Sequence, residues 1–411
     1  MLLFYWFLYV FSLSIPIFYH SAFLVGFVSA IHYLLIYKRN LLVLSRYQIF
    51  YFSSFLLGYI IVGLIIILNE TYDISFFKTY TNSFLSAISG VPLVLIFLER
   101  FGKNAPAYVM KYTFYIFIIQ SIIIILVLFV PALKPFVMYF QRNAELASEL
   151  DLFSNGLRTN ALSGGLFYGL SLSFSMAIIL YLYYILVYKF QLKLRYVFLF
   201  TLVNIGLICT GRFGFIYVIC IIPIICTIKI TRKIKLILFS LCMIVLLCIL
   251  FFTLYELFPQ VKKIYNETIY PYAFEFLSNY QKSGDFDTSS TNELASMYNV
   301  TITDNTWFFG DGLYTGNDGL YYQHTDVGYL RLLLLGGVGL NIYFISFTVL
   351  MLIPILKSTL PNNKSLYFSL LLLFLLSQFK GEAMITLVQL NNMCFILCST
   401  ISFLYRKDVN E

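Results

Sequence analysis

The chain is 411 residues long, 60% of them hydrophobic and only 11% charged, with a mean hydropathy of +0.86. Water-soluble domains carry about 25% charged residues, so a soluble enzyme or binding module is excluded and an integral membrane protein is expected. The formal net charge of +8 does not point to nucleic acid, because Lys and Arg gather in short connections between apolar runs, where they act as an insertion signal.

Apolar stretches of about 20 residues, the length that crosses ~30 Å of hydrocarbon as a helix, recur from end to end. They predict an all-α fold of twelve helical spans, near residues 2–19, 21–37, 50–69, 82–98, 112–131, 164–187, 196–210, 213–228, 236–256, 327–356, 366–379 and 384–403, in one polytopic domain over residues 1–411. No short N-terminal run stands apart as a cleaved signal, so the first span is expected to be its own anchor. The tenth stretch is longer than one crossing needs, and Gly336, Gly337 and Gly339 interrupt it. A short tilted or re-entrant helix is therefore expected before the span proper.

With both termini in the cytoplasm, 17 of the 27 basic residues fall on the inner side, among them Lys38, Arg39, Lys229 and Arg232, against three of the 19 acids, Glu99, Asp408 and Glu411. That asymmetry sets the orientation. Inner connections are then short, while the outer side carries two long segments, residues 132–163 and residues 257–326. Loops so far beyond the usual few residues are where function concentrates. All seven cysteines lie in apolar spans, so the outer loops hold no disulfide framework. No Cys or His cluster has the spacing of a metal site.

Ionisable residues at the outer ends of the spans are the candidate site. Arg158, in FSNGLRTNALSGG, closes the first outer loop; Arg212, in CTGRFGF, sits in a very short turn where Gly211 and Gly214 allow close backbone approach. An arginine at membrane depth costs roughly 2.5–3.5 kcal/mol on insertion scales and is usually kept for a polar cavity or a partner. Its planar fork of donors suits diphosphate oxygens; the alternative is snorkelling to headgroups or pairing with an outer acid. The late loop opens with FPQVKKIYNETIYPYAFEFLSNYQ, whose apolar spacing predicts one or two surface helices. Asp285 and Asp287 form a DxD, but an outward loop meets no nucleotide sugar, so the motif is set aside. Tyr298, Trp307, Phe308, Phe309, Tyr314, Tyr321 and Tyr322 offer flat faces for sugar rings or for packing the loop onto the interface.

The stretch YYQHTDVGYLRLLLLGGVGL brings three ionisable groups to the mouth of the tenth span. His20 and His32 lie at or within spans and read as structural. His324 is different, because a ring of near-neutral pKa beside the long loop suits proton transfer from a sugar hydroxyl or hydrogen bonding to a leaving phosphate. Thr325 and Asp326 are expected to cap the following helix. Arg331, seven residues after His324, would share its helical face if the segment is continuous helix, with Asp326 as a candidate partner.

A multi-span chain with a TGR turn, an arginine-bearing earlier loop and a late loop closing on FFGDGLYTG...YYQHTDVGYLRLLLLGGVG resembles the bacterial O-antigen polymerases of the Wzy type and, at longer range, the O-antigen ligases. The resemblance is topological over nearly the whole chain and motif-like only at GDG...HTDVGY and TGR. It implies a GT-C-type glycosyltransferase of the bacterial inner membrane, working at the periplasmic face without cofactor, metal or nucleotide sugar. The reaction implied is transfer of a glycan from undecaprenyl diphosphate to the non-reducing end of a lipid-linked repeat unit. His324 and Arg212 would be its catalytic residues, and Arg158, Arg331, Asp326, Tyr321, Tyr322 and Trp307 would bind substrate. Donor and acceptor lipid-linked oligosaccharides are the implied partners, with chain-length regulator and flippase proteins nearby. A flippase or other transporter would share the span count, but its loops are generally short and its site lies near the midplane; a ligase would share the chemistry.

Overall fold

The computed structural model describes the whole chain except residues 16, 38–41, 142–160, 166, 189–193, 258, 271–274, 285–287 and 411. Apolar runs satisfy their own backbone as helix, the open-chain structure that hydrocarbon tolerates, and the chain is helical almost throughout. In order come α1 (Leu2–Phe11), α2 (Ser21–Ile36), α3 (Arg46–Leu68), α4 (Ser75–Phe101), α5 (Ala105–Phe129), α6 (Lys134–Tyr139), α7 (Phe167–Tyr183), α8 (Leu194–Thr210), α9 (Tyr217–Cys220), α10 (Ile222–Thr227) and α11 (Ile230–Leu257). Short helices α12 (Pro259–Ile264), α13 (Glu275–Ser283), α14 (Ser289–Met297) and α15 (Asp304–Phe309) lie in the late loop, followed by α16 (Gly328–Leu356), α17 (Asn363–Ser377) and α18 (Val388–Asn410).

Four helical stretches among the described residues are long and apolar enough to cross a membrane: Arg46–Leu68, Ser75–Phe129, Phe167–Tyr188 and Gly328–Leu356. Shorter apolar helices pack beside them, and every predicted span contains helix. Burial sorts centre from periphery. The most apolar part of Phe167–Tyr188 is 89% buried, whereas that of Arg46–Leu68 is 28% buried. Thus α7 is the hub, and α3 turns Leu57, Ile60, Leu64 and Ile67, spaced as one helical face, outward. An apolar face that large is compatible with lipid rather than water.

The first predicted span departs from expectation. Helix α1 ends at Phe11, because Ser12 enters the left-handed region (φ 46°) and donates its hydroxyl back to the Tyr9 carbonyl, a local bond that competes with helix. The chain then folds into a two-residue antiparallel pair, Ser14–Ile15 with Tyr19–His20. Ten residues reach only about 15 Å, so α1 stops well short of a full crossing, and Ser12 at its end lines a cavity.

Helix α16 breaks where the glycines stand: Gly336 and Gly337 leave helical geometry, Gly337 at φ 68°. The break frees the Leu334 and Leu335 carbonyls, which accept from the amides of Asp311 (2.6 Å) and Gly312 (3.1 Å) in the late loop. A loop thereby caps a helix end that would otherwise hold orphan acceptors. The fit needs small residues, since a methyl group on Gly337 would overlap the Phe308 carbonyl and one on Gly310 would overlap the backbone of Gly336.

Candidate functional site

The late loop is fastened to the α3–α4 turn. Asp73 Oδ2 accepts from the backbone amides of Tyr314 (2.7 Å) and Thr315 (2.8 Å), Thr71 donates to the Gly312 carbonyl, and Thr315 donates to Ser75. Burial works against the Asp73 charge, but the donors from Ser75, Thr315 and Tyr314 outweigh it and hold the carboxyl below its usual range. From that anchor the chain turns through Asp318–Gly319 (Gly319 φ 79°) and returns, with a bridge between Thr315 and Tyr321. Tyr314 and Tyr321 end up as neighbours, ring centres 6.3 Å apart.

Arg331 lies against both rings, its guanidinium carbon 4.0 Å from the Tyr314 centre and 3.6 Å from that of Tyr321. A cation resting on ring faces gains from their quadrupoles, more so when desolvated, and the Arg331 side chain is only 7% exposed. Its Nη1 contacts Glu382 Oε2 at 3.2 Å, and the Glu382 side chain is 4% exposed. Tyr314 Oη donates to the same carboxylate oxygen at 2.8 Å. Burial pushes the Glu382 carboxyl above its usual range, while Arg331 and the Tyr314 hydroxyl pull it back.

Close backbone approach makes the pair possible. A methyl group on Gly328, the first residue of α16, would sit 2.8 Å from the Glu382 Cα. The turn bearing Glu382 is held from the other side by Tyr168, whose hydroxyl donates to the carbonyls of Ser377 and Gly381.

One half of the arginine remains open. Its Nε and Nη2 have no hydrogen-bond partner, although buried polar groups nearly always have one. Arg331, Tyr314 and Glu382 line a cavity of about 410 Å³ together with Asp326, Tyr321, Lys380 and Tyr168, and Ser12, Gly165 and Gln389 furnish a neutral floor. That size falls in the ~300–1,000 Å³ range of small-molecule sites. Asp326 is half-buried; burial raises its carboxyl, Glu293 adds to the rise, and Arg331 and Lys380 oppose it.

The residues expected from the sequence divide. Arg331, Asp326 and Tyr321 meet in the cavity. Arg212 does not line it but pairs with Glu275 at 2.9 Å; its neighbour Phe213 touches Tyr168 and lies beneath Lys380. Gly214 does permit the expected close approach, to the Ser171 carbonyl. His324 is off the cavity, 69% exposed, with Nε2 3.5 Å from Asp318. It does not share a helical face with Arg331, because Gln323 and His324 both have positive φ and α16 begins only at Gly328. Nor does Thr325 or Asp326 cap that helix: Val327 is the cap residue, without a side-chain bond. Tyr322 lies near Asp311 rather than in the cavity, and Trp307, Phe308 and Phe309 are exposed beside the break in α16. Arg158, Asp285 and Asp287 lie outside the described residues. Glu382, Lys380, Tyr168 and Gln389 were not singled out by sequence. For Lys380, Glu382 and Gln389 the signal was SQFKGEAMITLVQ, a charged pair in a connection of few residues between two apolar runs; Tyr168 lies in a separate apolar run and carried none.

Compared with family models, curated proteins and solved structures, the chain gives no significant match. The functional reading therefore rests on the cavity. Arg331 and Lys380 are the cationic side chains that line the cavity among the described residues.

Proposed function

We propose that the protein is a polysaccharide polymerase, a multi-span glycosyltransferase of GT-C type in the bacterial inner membrane, with its cavity facing the periplasm. The donor is a glycan on undecaprenyl diphosphate and the acceptor is the non-reducing end of a lipid-linked repeat unit. The observation that carries this reading is the open Nε and Nη2 edge of a buried arginine on a cavity of small-molecule size. Two parallel donors match two oxygens of a phosphate. A membrane protein that keeps such a cation 7% exposed keeps it at a cost that function repays.

Chemistry follows from that edge. Lipid diphosphate departs once its developing charge is received, and prearranged donors in a water-poor site are worth several kcal/mol in the transition state. Arg331 receives the phosphate oxygens and Lys380 adds a second positive charge. Tyr321 and Tyr168 give the adjoining sugar ring faces to rest on. Glu382 and the two tyrosines hold the guanidinium so that its open edge stays aimed, which is the positioning that makes a bound pair of reactants react. In this reading chain-length regulator and flippase proteins are membrane neighbours.

A second reading, a lipid-linked oligosaccharide flippase, is favoured by the break in α16 at Gly336 and Gly337, since interrupted helices mark transporter sites. Surface glycans of a deletion strain separate the cases. A single capped repeat is expected for the polymerase; total absence of repeats would mean a flippase, and accumulated free lipid-linked polymer would mean a ligase.

A further inference from the structure

Four charged side chains line the cavity, and three are engaged. Glu382 Oε2 takes both Arg331 Nη1 and the Tyr314 hydroxyl. Arg331 uses that nitrogen and rests on two rings, and Lys380 lies over Phe213 at 5.4 Å. Asp326 differs. It lines the same cavity five residues before Arg331, and its carboxylate takes part in no hydrogen bond with the described residues. A carboxylate with free lone pairs and an arginine with a free donor edge thus face one space.

We propose that Asp326 is the proton acceptor of the transfer, an inference that rests on the glycosyl-transfer reading and deepens it. The acceptor sugar's hydroxyl oxygen attacks the anomeric carbon of the donor glycan and forms the new glycosidic bond. Its proton passes to the Asp326 carboxylate. The bond from that carbon to the phosphate oxygen breaks, and its electron pair leaves on the lipid diphosphate held by Arg331. Asp326 then returns its proton to water at the cavity mouth.

The surroundings suit the role. Burial and Glu293 raise the proton affinity of Asp326 above that of a solvent carboxylate, and Arg331 and Lys380 oppose the rise; Tyr168 is a further titratable neighbour, and Tyr314, Tyr321 and Glu382 line the same cavity. A base gains in efficiency as its pKa approaches the working pH. Glu382 is spent on Arg331 and Tyr314. His324, 69% exposed and beside Asp318, stands outside the cavity.

The test uses purified full-length protein in detergent, with lipid-linked glycans extracted from the deletion strain as substrate and geranylgeranyl diphosphate as binding probe. Asp326→Asn is expected to bind the probe at least as tightly as wild type, since a negative charge near Arg331 is gone, while elongation falls about 10²-fold or more. Asp326→Glu should recover part of the rate. Wild-type elongation should decline as pH falls through the raised carboxyl value, and the residual rate of Asp326→Asn should not follow that curve. Unchanged elongation in Asp326→Asn overturns the inference and leaves the glycosyl-transfer reading standing. Loss of probe binding together with elongation also overturns it, because the aspartate would then be positioning Arg331. Failure of the wild type to elongate or to bind the probe would sink the broader reading instead.

Discussion

Removing Glu382 should expose how the site is held. Glu382→Ala strips Arg331 of the carboxylate it contacts at 3.2 Å, leaving a guanidinium 7% exposed with Nε, Nη2 and now Nη1 without a hydrogen-bond partner among the described residues, and it orphans the Tyr314 hydroxyl. Breaking a buried pair by removing one partner costs about 3–5 kcal/mol, and an orphaned buried hydroxyl belongs to the same order of loss, about 1–3 kcal/mol. Glu382→Gln keeps an oxygen for both donors and should lose clearly less. The informative variant removes the whole cluster: Arg331→Met with Glu382→Leu and Tyr314→Phe replaces ions and hydroxyl by apolar groups of similar size, a change that is often neutral or stabilising. The assay is reversible unfolding in detergent micelles, followed by helical circular dichroism. The expected order of stability is wild type close to the triple variant, then Glu382→Gln, then Glu382→Ala. A stable Glu382→Ala, or a triple variant no better than it, would refute the idea that the pair is held by mutual neutralisation. The triple variant should also be inactive in elongation, separating the fold from the function.

Gly337→Ala should destabilise, because φ 68° with ψ −169° is a nearly glycine-only conformation that costs a residue with a Cβ about 1–3 kcal/mol, and the methyl would overlap the Phe308 carbonyl. Gly339→Ala, with nothing near its Cβ, should be neutral or gain up to about 1 kcal/mol in the same unfolding assay. Asp73→Asn should speed hydrogen exchange at the Tyr314 and Thr315 amides. Because the folded carboxyl is held below its usual range, its contribution is present above the unfolded value of about 3.9 and is lost as pH falls through the folded value. His324→Ala should keep elongation within about tenfold of wild type, well short of the ~10² to 10⁴ expected on losing an acid-base group. Orientation is checked by cysteines at Asn317 and Lys357: an impermeant maleimide should reach the first in intact spheroplasts and the second only after permeabilisation.

What the sequence made legible was local, and what it hid was tertiary. An arginine in an apolar run drew attention to Arg331 because its cost is intrinsic to the residue, and three glycines marked the break in α16 because backbone freedom is too. The partner of Arg331 was not legible. Asp326, near in sequence, was the natural candidate, yet Glu382 fills the place because Gly328 lets the start of α16 press against a turn from another connection. His324 misled for a related reason, since periodicity assumed a helix that Gln323 and His324, both at positive φ, do not enter. The end of α1 at Ser12 was equally hidden, because Leu13, Ile15, Ile17 and Phe18 keep the stretch apolar on average despite Ser12, Ser14 and Pro16, while the backbone turns back on itself. That turn supplies part of the cavity floor.

The central claim is that the open edge of Arg331 receives the leaving diphosphate in glycan transfer. Its most direct test is elongation of lipid-linked glycans from the deletion strain by purified wild type, Arg331→Lys and Arg331→Met. The account predicts a ladder of longer glycans with wild type, a slow partial ladder with lysine, whose single ammonium cannot replace two parallel donors, and none with methionine. Wild-type ladders from Arg331→Met, or unchanged substrate with the wild-type protein, would contradict it.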